Sequence, residues 1–247
     1  MKSRRNIKLV LGFDGTAYHG WQIQERQKTV QGELRKALQE ITGEQSNPIG
    51  SGRTDAGTHA RRFVASFTTG ARIPVASLSR ALNSVLPPDI RILSAREVPE
   101  DFHARGSALS KIYRYQIYRG SVLPPHLARE HFHYPYPIDL TIMQRAAALF
   151  VGAHDFASFA AKGGGRKHTV RHIYSCRLKG AGYRLLFTVE GNGFLHHMVR
   201  NMVGTLLELG RGLMTLPEFE DLFECHDRSR AGFTVPAHGL ILLKVRY

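Results

Sequence analysis

The sequence predicts an α+β protein in which two sets of strands and helices follow one another along 247 residues. Strand-like alternation of apolar and polar residues interleaves with helix-like spacing along the whole chain. The apolar content of 43% and the charged content of 22% are ordinary for a globular protein with a proper core. Two sets of mixed elements favour two similar halves that share a sheet.

The first set of elements is marked by clear start and stop residues. Ile7 to Phe13 predicts a strand, and apolar residues from Val30 to Ile41 recur at helical spacing up to Gly43, a suitable C-terminal cap. A second helix is predicted between Pro74 and Pro87, because proline favours a helix start and ends a helix before it. Further strands are predicted at 63–67, 90–98 and 109–118.

The second set repeats this organisation. A helix is predicted from Asp139 to Val151, and a long one from Phe194 to Leu209. A shorter helix starts at Thr215, where Glu218 has capping-box spacing. The remaining strands are predicted near residue 173, at 183–189 and at 240–245. The Gly163-Gly164-Gly165 run, flanked by cations, is either a mobile loop that closes on phosphates or a plain surface loop.

The charge balance points to an anionic partner. Thirty-four Lys and Arg against twenty Asp and Glu give a formal charge of +14 and a pI near 10.2. A field of that sign concentrates polyanions, and nucleic acid is the commonest polyanion in a cell. We therefore rank nucleic acid ahead of an anionic membrane or a purely solubilising charge.

Cysteine content and apolar runs predict a cytoplasmic protein. Cys176 and Cys225 are too few and too far apart for a disulfide framework or a zinc site, so we expect reduced, half-buried thiols. The apolar run after the basic start is too short for a signal peptide, and no stretch approaches the length of a membrane span.

Asp55 is the first candidate for chemistry. It lies between Arg53 and a flexible Ala56-Gly57 step, directly before a predicted strand. A carboxylate on a loop that leads into a sheet can be held rigidly and still face a ligand. The alternative is an ordinary turn residue, because Asp and Gly are common in turns.

Arg200 is the second candidate. The predicted helix from Phe194 is apolar on both sides, which indicates burial, and Arg200 projects from its second side. A buried guanidinium requires a carboxylate or phosphate partner, and Asp55 is a good candidate. The alternatives are a side chain that extends to solvent or one that pairs with another acid.

Tyr113 and Tyr115 share one face of a predicted strand that also carries Lys111 and Arg114. Interleaved aromatic and cationic residues suit base stacking with phosphate neutralisation. The same pattern is also typical of any half-buried strand, so a core role stays open.

Metal and nucleotide-cofactor sites are not predicted. The pairs His154-Asp155, His196-His197 and His226-Asp227 lack compact ligand spacing. Two glycine-rich triplets, Gly50-Ser51-Gly52 and Gly191-Asn192-Gly193, begin like a dinucleotide fingerprint but do not complete it.

Taken together, these motifs resemble the tRNA pseudouridine synthase A family from near the first residue to the last. The matching segments, in chain order, are Phe13-Asp14-Gly15-Thr16 with Gly20-Trp21-Gln22, Thr29-Val30-Gln31, the run from Gly52 to Ala60, Phe102-His103-Ala104-Arg105 with Tyr113-Arg114-Tyr115, the run from His154 to Phe159, the run from Met198 to Gly204, and Gly239-Leu240. Their number and order make the match specific. Thr58 stands where many relatives have Val.

The resemblance implies two related RRM-like or ferredoxin-like α/β halves that form one continuous mixed, mainly antiparallel sheet with a basic cleft. The halves would span residues 1–105, with the catalytic Asp loop, and 106–247, with the stacking Tyr and the Arg helix. The family implies isomerisation of uridine to pseudouridine at positions 38, 39 and 40 of the tRNA anticodon arm. It also implies a homodimer that holds tRNA across both subunits, with no cofactor or metal.

The resemblance also assigns roles to individual residues. Asp55 matches the catalytic aspartate, which acts either as a nucleophile on the sugar or as a base on the neighbouring ribose proton. Arg200 would hold Asp55 ionised and oriented, and Tyr113 would stack on the target base. The implied substrate-binding residues are Arg53, which fills the space left by the flipped nucleotide, Leu240 in a pocket wall, and His59 in a structural or phosphate-binding role.

Two other functions compete with this one. A non-catalytic RNA-binding protein could use the same basic, aromatic sheet and would tolerate loss of Asp55. A metal-dependent nuclease or phosphohydrolase built on the His-Asp pairs would lose activity in chelator.

Overall fold

The computed structural model describes residues 4–161 and 168–247, so the predicted Gly163–Gly165 loop lies outside the described residues. The chain divides into two compact units. The first comprises Met1–Leu109 together with Leu242–Tyr247, and the second comprises Ser110–Ile241. The expected halves at 1–105 and 106–247, with their assigned roles, stay predictions.

The first unit is a small antiparallel sheet with two helices. Strand β1 (Arg5–Phe13) pairs with β3 (His59–Thr69) on one side and β4 (Ile90–Val98) on the other, and the short β2 (Ile49–Gly50) extends β3. The apolar side of β1 is fully buried, with Ile7, Leu9 and Leu11 all at 0% exposure. The helices are α1 (Val30–Thr42) and α2 (Val75–Val85).

Tyr247 packs against the segment that follows β4. Its hydroxyl donates to the carbonyl of Ala104 at 2.6 Å, and its ring lies 5.0 Å from that of Phe102. The ammonium group of Lys8 lies 3.9 Å from the centre of the same ring, a cation–π contact. The first unit is therefore completed by residues from the far end of the sequence.

The second unit contains a sheet in the order β5-β9-β8-β7. Its strands are β5 (Ser110–Tyr118), β6 (Phe132–His133), β7 (Gly152–Asp155), β8 (Val170–Ala181) and β9 (Arg184–Gly191), and its helices are α3 (Leu140–Leu149), α4 (Met198–Gly210) and α5 (Leu216–Cys225). Strand β9 pairs antiparallel with β5 and with β8, and β8 pairs antiparallel with β7, whereas β6 pairs parallel with β5. The last strand, β10 (Leu240–Arg246), begins in the second unit and ends in the first.

The predicted fold class is confirmed as a large mixed, mainly antiparallel sheet with helices packed on it. The caps that define the helices are also confirmed. Gly43 ends α1 in the left-handed conformation at φ 70°, and Thr215 and Glu218 form the capping box of α5. Strands β2, β6 and β7 were not predicted, because runs of two to four residues are too short for a periodic pattern.

The predicted start of the long helix is wrong. Helix α4 begins at Met198, not at Phe194, because His197 adopts a left-handed conformation at φ 59° that breaks the helical path. Phe194 therefore does not line the helix. The predicted burial of both helix sides is confirmed, since Met198, Met202 and Val203 are at most 2% exposed.

Cys176 and Cys225 are free and half-buried, as expected. Among the described residues, every helix is too short or too polar to pass through a bilayer.

Candidate active site

The loop that carries Asp55 is a tight turn at the entry to β3. The backbone N–H of Thr58 donates to the carbonyl of Asp55 at 3.1 Å, and that of Gly57 donates to the carbonyl of Tyr18 at 3.2 Å. Gly57 has φ 80°, a conformation that a side chain disfavours. The turn leaves Asp55 half-exposed, so its carboxylate is anchored through the backbone and still accessible.

The segment 15–21 supports this turn from behind. A Cβ added to Gly15 would lie 2.0 Å from the carbonyl oxygen of Thr58, and one added to Gly20 would lie 2.2 Å from that of Thr54. The backbone N–H of Trp21 donates to the same Thr54 carbonyl at 3.4 Å, and the Trp21 side chain is 1% exposed. Two glycines therefore permit a direct backbone-to-backbone contact that fixes the Asp55 turn.

The two residues near Asp55 that were predicted to bind substrate differ in exposure. Arg53 is exposed, and its side chain forms no hydrogen bond or ion pair with the described residues. His59 is 3% exposed, and its Nδ1 accepts from the backbone N–H of Gly15 at 3.0 Å. An Asp14 carboxylate oxygen also lies 3.2 Å from Nδ1. The buried imidazole thus contacts the 14–15 segment, which places it in a supporting position.

Thr58 is buried at 1% exposure, and its hydroxyl finds no hydrogen-bond partner among the described residues. An apolar side chain of the same shape would fill this position equally well, which agrees with the Val expected there in relatives. Because the Thr58 side chain is buried, this difference from the relatives does not change the exposed part of Asp55.

In the second unit, Tyr113 and Tyr115 lie on the same side of β5 and are both buried. Tyr113 is 8% exposed, and its ring meets that of Phe194 edge-on at 5.1 Å. Tyr115 is fully buried, its hydroxyl donates to the carbonyl of Pro236 at 2.6 Å, and burial raises the pKa of its phenol. Tyr115 is thus a core residue, whereas Tyr113 retains some accessible surface.

Arg200 lies in the first turn of α4. We expected a buried side chain, but the structure shows it half-buried. Its Nε donates to the carbonyl of Val235 at 2.8 Å. This bond orients the guanidinium group, a group whose planar geometry suits a carboxylate or phosphate. The side chain therefore does not extend freely into solvent.

Leu240 is 6% exposed and follows a short 3-10 turn, Ala237–Gly239. A Cβ on Gly239 would lie 2.6 Å from the ring of Tyr115, so only glycine lets this turn pack against β5. The turn thus connects Leu240 to the same strand that carries Tyr113.

The His-Asp pairs do not form a compact set. Asp155 and His226 approach each other at 3.8 Å, but Nε2 of His154 hydrogen-bonds the Val151 carbonyl and the Asp227 carboxylate caps Ser229. The His154 and Asp227 side chains are thus held by contacts within their own turns.

Sequence reasoning missed the residues that hold the candidate groups in place. Gly15 and Gly20 stood in matched motifs without a role, and Phe194 was placed on a helix. The signal for the glycines was present, since two glycines five residues apart, beside a Trp, indicate a loop with close backbone approach. No local pattern indicated the contact between Phe194 and Tyr113.

Comparison with known proteins gives one consistent family. A family model described as tRNA pseudouridine synthase matches residues 10–105 and 146–247. The chain is 46% identical over 243 residues to tRNA pseudouridine synthase A of Moorella thermoacetica, with 98% of this chain and 99% of the relative covered. It is 42% identical to the protein of that name from Thermoanaerobacter sp. (strain X514), covering 98% of this chain and 100% of the relative. Among solved structures, a Cbf5-Nop10-Gar1 complex is only distantly similar. The match has 10% identity and a TM-score of 0.39, and it covers 95% of this chain and 57% of that chain.

Proposed function

Because the chain belongs to the tRNA pseudouridine synthase family, whose members isomerise uridine to pseudouridine in tRNA, we propose that it acts on positions 38, 39 and 40 of the anticodon arm. The observation that carries the residue assignment is the Asp55 turn. Its backbone is fixed on two sides by contacts that only glycine permits, while the carboxylate stays half-exposed. Catalytic groups need this combination of fixed position and access.

Asp55 is the catalytic residue in this proposal. The reaction breaks the bond between N1 of uracil and the ribose, turns the base, and joins C5 to the same sugar carbon, while C5 loses a proton. Asp55 either attacks the sugar carbon and is later expelled, or removes the neighbouring ribose proton. Both paths require an ionised carboxylate.

Arg200 and Tyr113 complete the catalytic set that we propose. The Val235 carbonyl orients the Arg200 guanidinium, and a guanidinium in a fixed plane would hold the Asp55 carboxylate ionised and oriented. Phe194 supports the Tyr113 ring edge-on, so that one ring face can stack on the uracil. Leu240, which follows the turn that packs against the same strand, forms a wall of the base pocket in this proposal.

Arg53 and His59 have secondary roles in the proposal. Arg53 is exposed next to the Asp55 turn, so it can occupy the space left by an extruded nucleotide and offset part of the unstacking cost of roughly 2–4 kcal/mol. His59 is buried against Gly15, which favours its structural role over contact with a phosphate.

Replacement of the Asp55 carboxylate tests the assignment. We expect Asp55→Asn to lower the rate of isomerisation by about 10³-fold or more and to leave tRNA affinity within a few-fold. The measurement is single-turnover conversion of unmodified tRNA transcripts, with the modified positions mapped. Asp101→Asn, at an exposed acid in the same unit, is the matched control and should retain the wild-type rate.

The same experiment separates the enzyme from a non-catalytic RNA-binding protein. A binding protein would form no pseudouridine in the wild type and would tolerate Asp55→Asn fully. An Asp55→Asn variant that converts uridine at near-normal rate would end the catalytic assignment, even if the wild type is active.

We also propose that the protein binds tRNA as a homodimer in the cytoplasm. One chain has a mass of 27.7 kDa, so sedimentation should give about twice that value, 2 × 27.7 = 55.4 kDa. A single species at the mass of one chain would contradict the dimer and leave the catalytic proposal intact.

A further inference from the structure

One face of the second unit's sheet is covered by helices. Leu178, Phe187 and Tyr115 point to this side and are at most 6% exposed. Helix α3 covers it, since the side chain of Gln144 donates to the Leu178 carbonyl at 3.0 Å. Tyr113, two residues before Tyr115 on β5, lies on this same face.

The opposite face of β5, β9 and β8 carries a row of cations, which we call the open basic face. The strand register places Arg114 opposite Thr188 on β9, and Thr188 opposite Arg177 on β8. Lys179, two residues beyond Arg177, shares this side, and so does Arg184 near the end of β9. Arg177, Lys179 and Arg184 are exposed, and Arg114 is half-buried.

These four cations have no acidic partner within the part of the chain that the structure describes. Arg114 donates through Nε to the Thr188 hydroxyl at 3.3 Å, which is a neutral acceptor. Two acids lie near this side: Glu190 accepts from the Ser110 hydroxyl at 2.7 Å, and Glu130 accepts from the side chain of Gln116 on β5, through its carbonyl at 2.9 Å and its carboxylate at 3.5 Å. Four cations on one side of the sheet create a positive field, so an anionic ligand is the natural complement of this face.

The spacing and the borders of the face suit a nucleic acid backbone. Arg114 and Arg177 are two strands apart, or about 10 Å, and Lys179 lies about 7 Å further along β8. Two exposed aromatic rings lie nearby, Tyr174 on β8 at 48% exposure and Tyr183 in the turn between β8 and β9 at 66% exposure. Cations with aromatic rings at the border are the features that contact phosphates and unpaired bases.

We propose that the open basic face binds the tRNA backbone outside the anticodon arm. This inference rests on the proposed function. Tyr113, which stacks on the target base in that proposal, lies on the helix-covered face of the same sheet, so the open basic face cannot contact the target nucleotide from this side. The face therefore adds affinity for the body of tRNA and leaves the chemical step unaffected.

The test removes two exposed cations of the face in the variant Arg177→Ala/Lys179→Ala. We expect affinity for full-length tRNA to weaken about 10-fold, and the slope of log affinity against log salt to become shallower by about 1.5. The rate at saturating tRNA should equal that of the wild type. Affinity for the isolated anticodon arm should not change.

The control variant, Arg80→Ala/Arg145→Ala, removes the same charge from exposed positions on α2 and α3. Both variants should unfold at the wild-type temperature, because all four side chains are exposed. Equal weakening by the control, an unchanged affinity in the test variant, or equal weakening on the isolated arm would each overturn the proposal. Failure of the proposed function would appear separately, as a wild type that forms no pseudouridine.

Discussion

At the scale of single residues, the position of Asp55 depends on two glycines, which have no side chain. Gly15 and Gly20 lack the Cβ atoms that would collide with the carbonyl oxygens of Thr58 and Thr54. The backbone of one segment can thus contact the backbone of the Asp55 turn directly. Two glycines outside the proposed catalytic set therefore fix the position of Asp55.

Gly20→Ala should lower the rate of isomerisation by at least about 10-fold, because displacement of Thr54 moves Asp55 and small misplacements of a catalytic group are costly. Single-turnover kinetics and thermal unfolding measure this effect. Gly43→Ala is the matched control. Gly43 has φ 70°, close to the 81° of Gly20, but a Cβ there meets nothing within 4 Å. Gly43→Ala should lower the free energy of unfolding by about 1 kcal/mol and leave the rate of isomerisation unchanged. Equal losses of rate in the two variants would contradict a role for the clash at Gly20.

Single residues were also where sequence reasoning was most limited. Asp55, Tyr113 and Arg200 were identified by residue type and by resemblance, and their catalytic roles stay predictions. The half-burial of Arg200 and its bond to Val235 could not be predicted, because the contact joins positions 35 residues apart. Local periodicity contains no information on such a pairing.

At the scale of elements, the segment around His131 connects β5 to its short partner β6. The imidazole is 5% exposed, and burial lowers its pKa, an effect to which the charge of Arg184 contributes. Glu130 and the backbone of Leu127 oppose this shift without cancelling it. His131 is therefore neutral in the folded state at neutral pH.

This burial predicts a loss of stability in acid. The unfolded chain takes up a proton as the pH falls below the ordinary histidine pKa of 6.5, whereas the folded state does so only at lower pH. The unfolded state then binds more protons, so the free energy of unfolding falls as the pH drops through this window. Unfolding temperatures between about pH 5 and pH 8 measure the effect.

His131→Phe should flatten this dependence on pH, because the side chain no longer titrates. His126→Gln, at an exposed histidine in the same segment, should retain the wild-type dependence. Parallel curves for the wild type and His131→Phe would show that other groups cause the acid sensitivity.

Elements with strong caps were predicted well, and those ended by backbone geometry were not. The capping box of α5 and the glycine cap of α1 are local signals that the structure confirms. The start of α4 was misplaced by four residues, because apolar spacing continues through Phe194 while His197 leaves the helical conformation. A left-handed histidine has no reliable signature in sequence.

At the scale of the whole molecule, the formal charge of +14 predicts that tRNA binding depends steeply on salt. Contacts to six or more phosphates would lower affinity at least about 10³-fold between roughly 50 and 200 mM salt, because binding releases counterions. Titrations of labelled tRNA at several salt concentrations measure the slope. A flat response would contradict a large basic binding surface.

The division of the chain into units was beyond sequence analysis. Charge and mixed elements indicated the partner and the fold class, and both required only composition and local patterns. The return of Leu242–Tyr247 to the first unit depends on pairing across the whole length of the chain. Apolar alternation predicted a strand there but not its neighbours.

This return has a consequence for biosynthesis. The residues of the second unit, 110 to 241, number 241 − 109 = 132, and all of them are translated before the six that complete the first unit. At about 5–20 residues per second, the ribosome needs roughly 7–26 s for this stretch. We therefore expect the first unit to stay incomplete during this time, because Tyr247 is not yet present to pack against Lys8 and Phe102. Nascent chains stalled just before residue 242 should accordingly be cut by protease within the first unit.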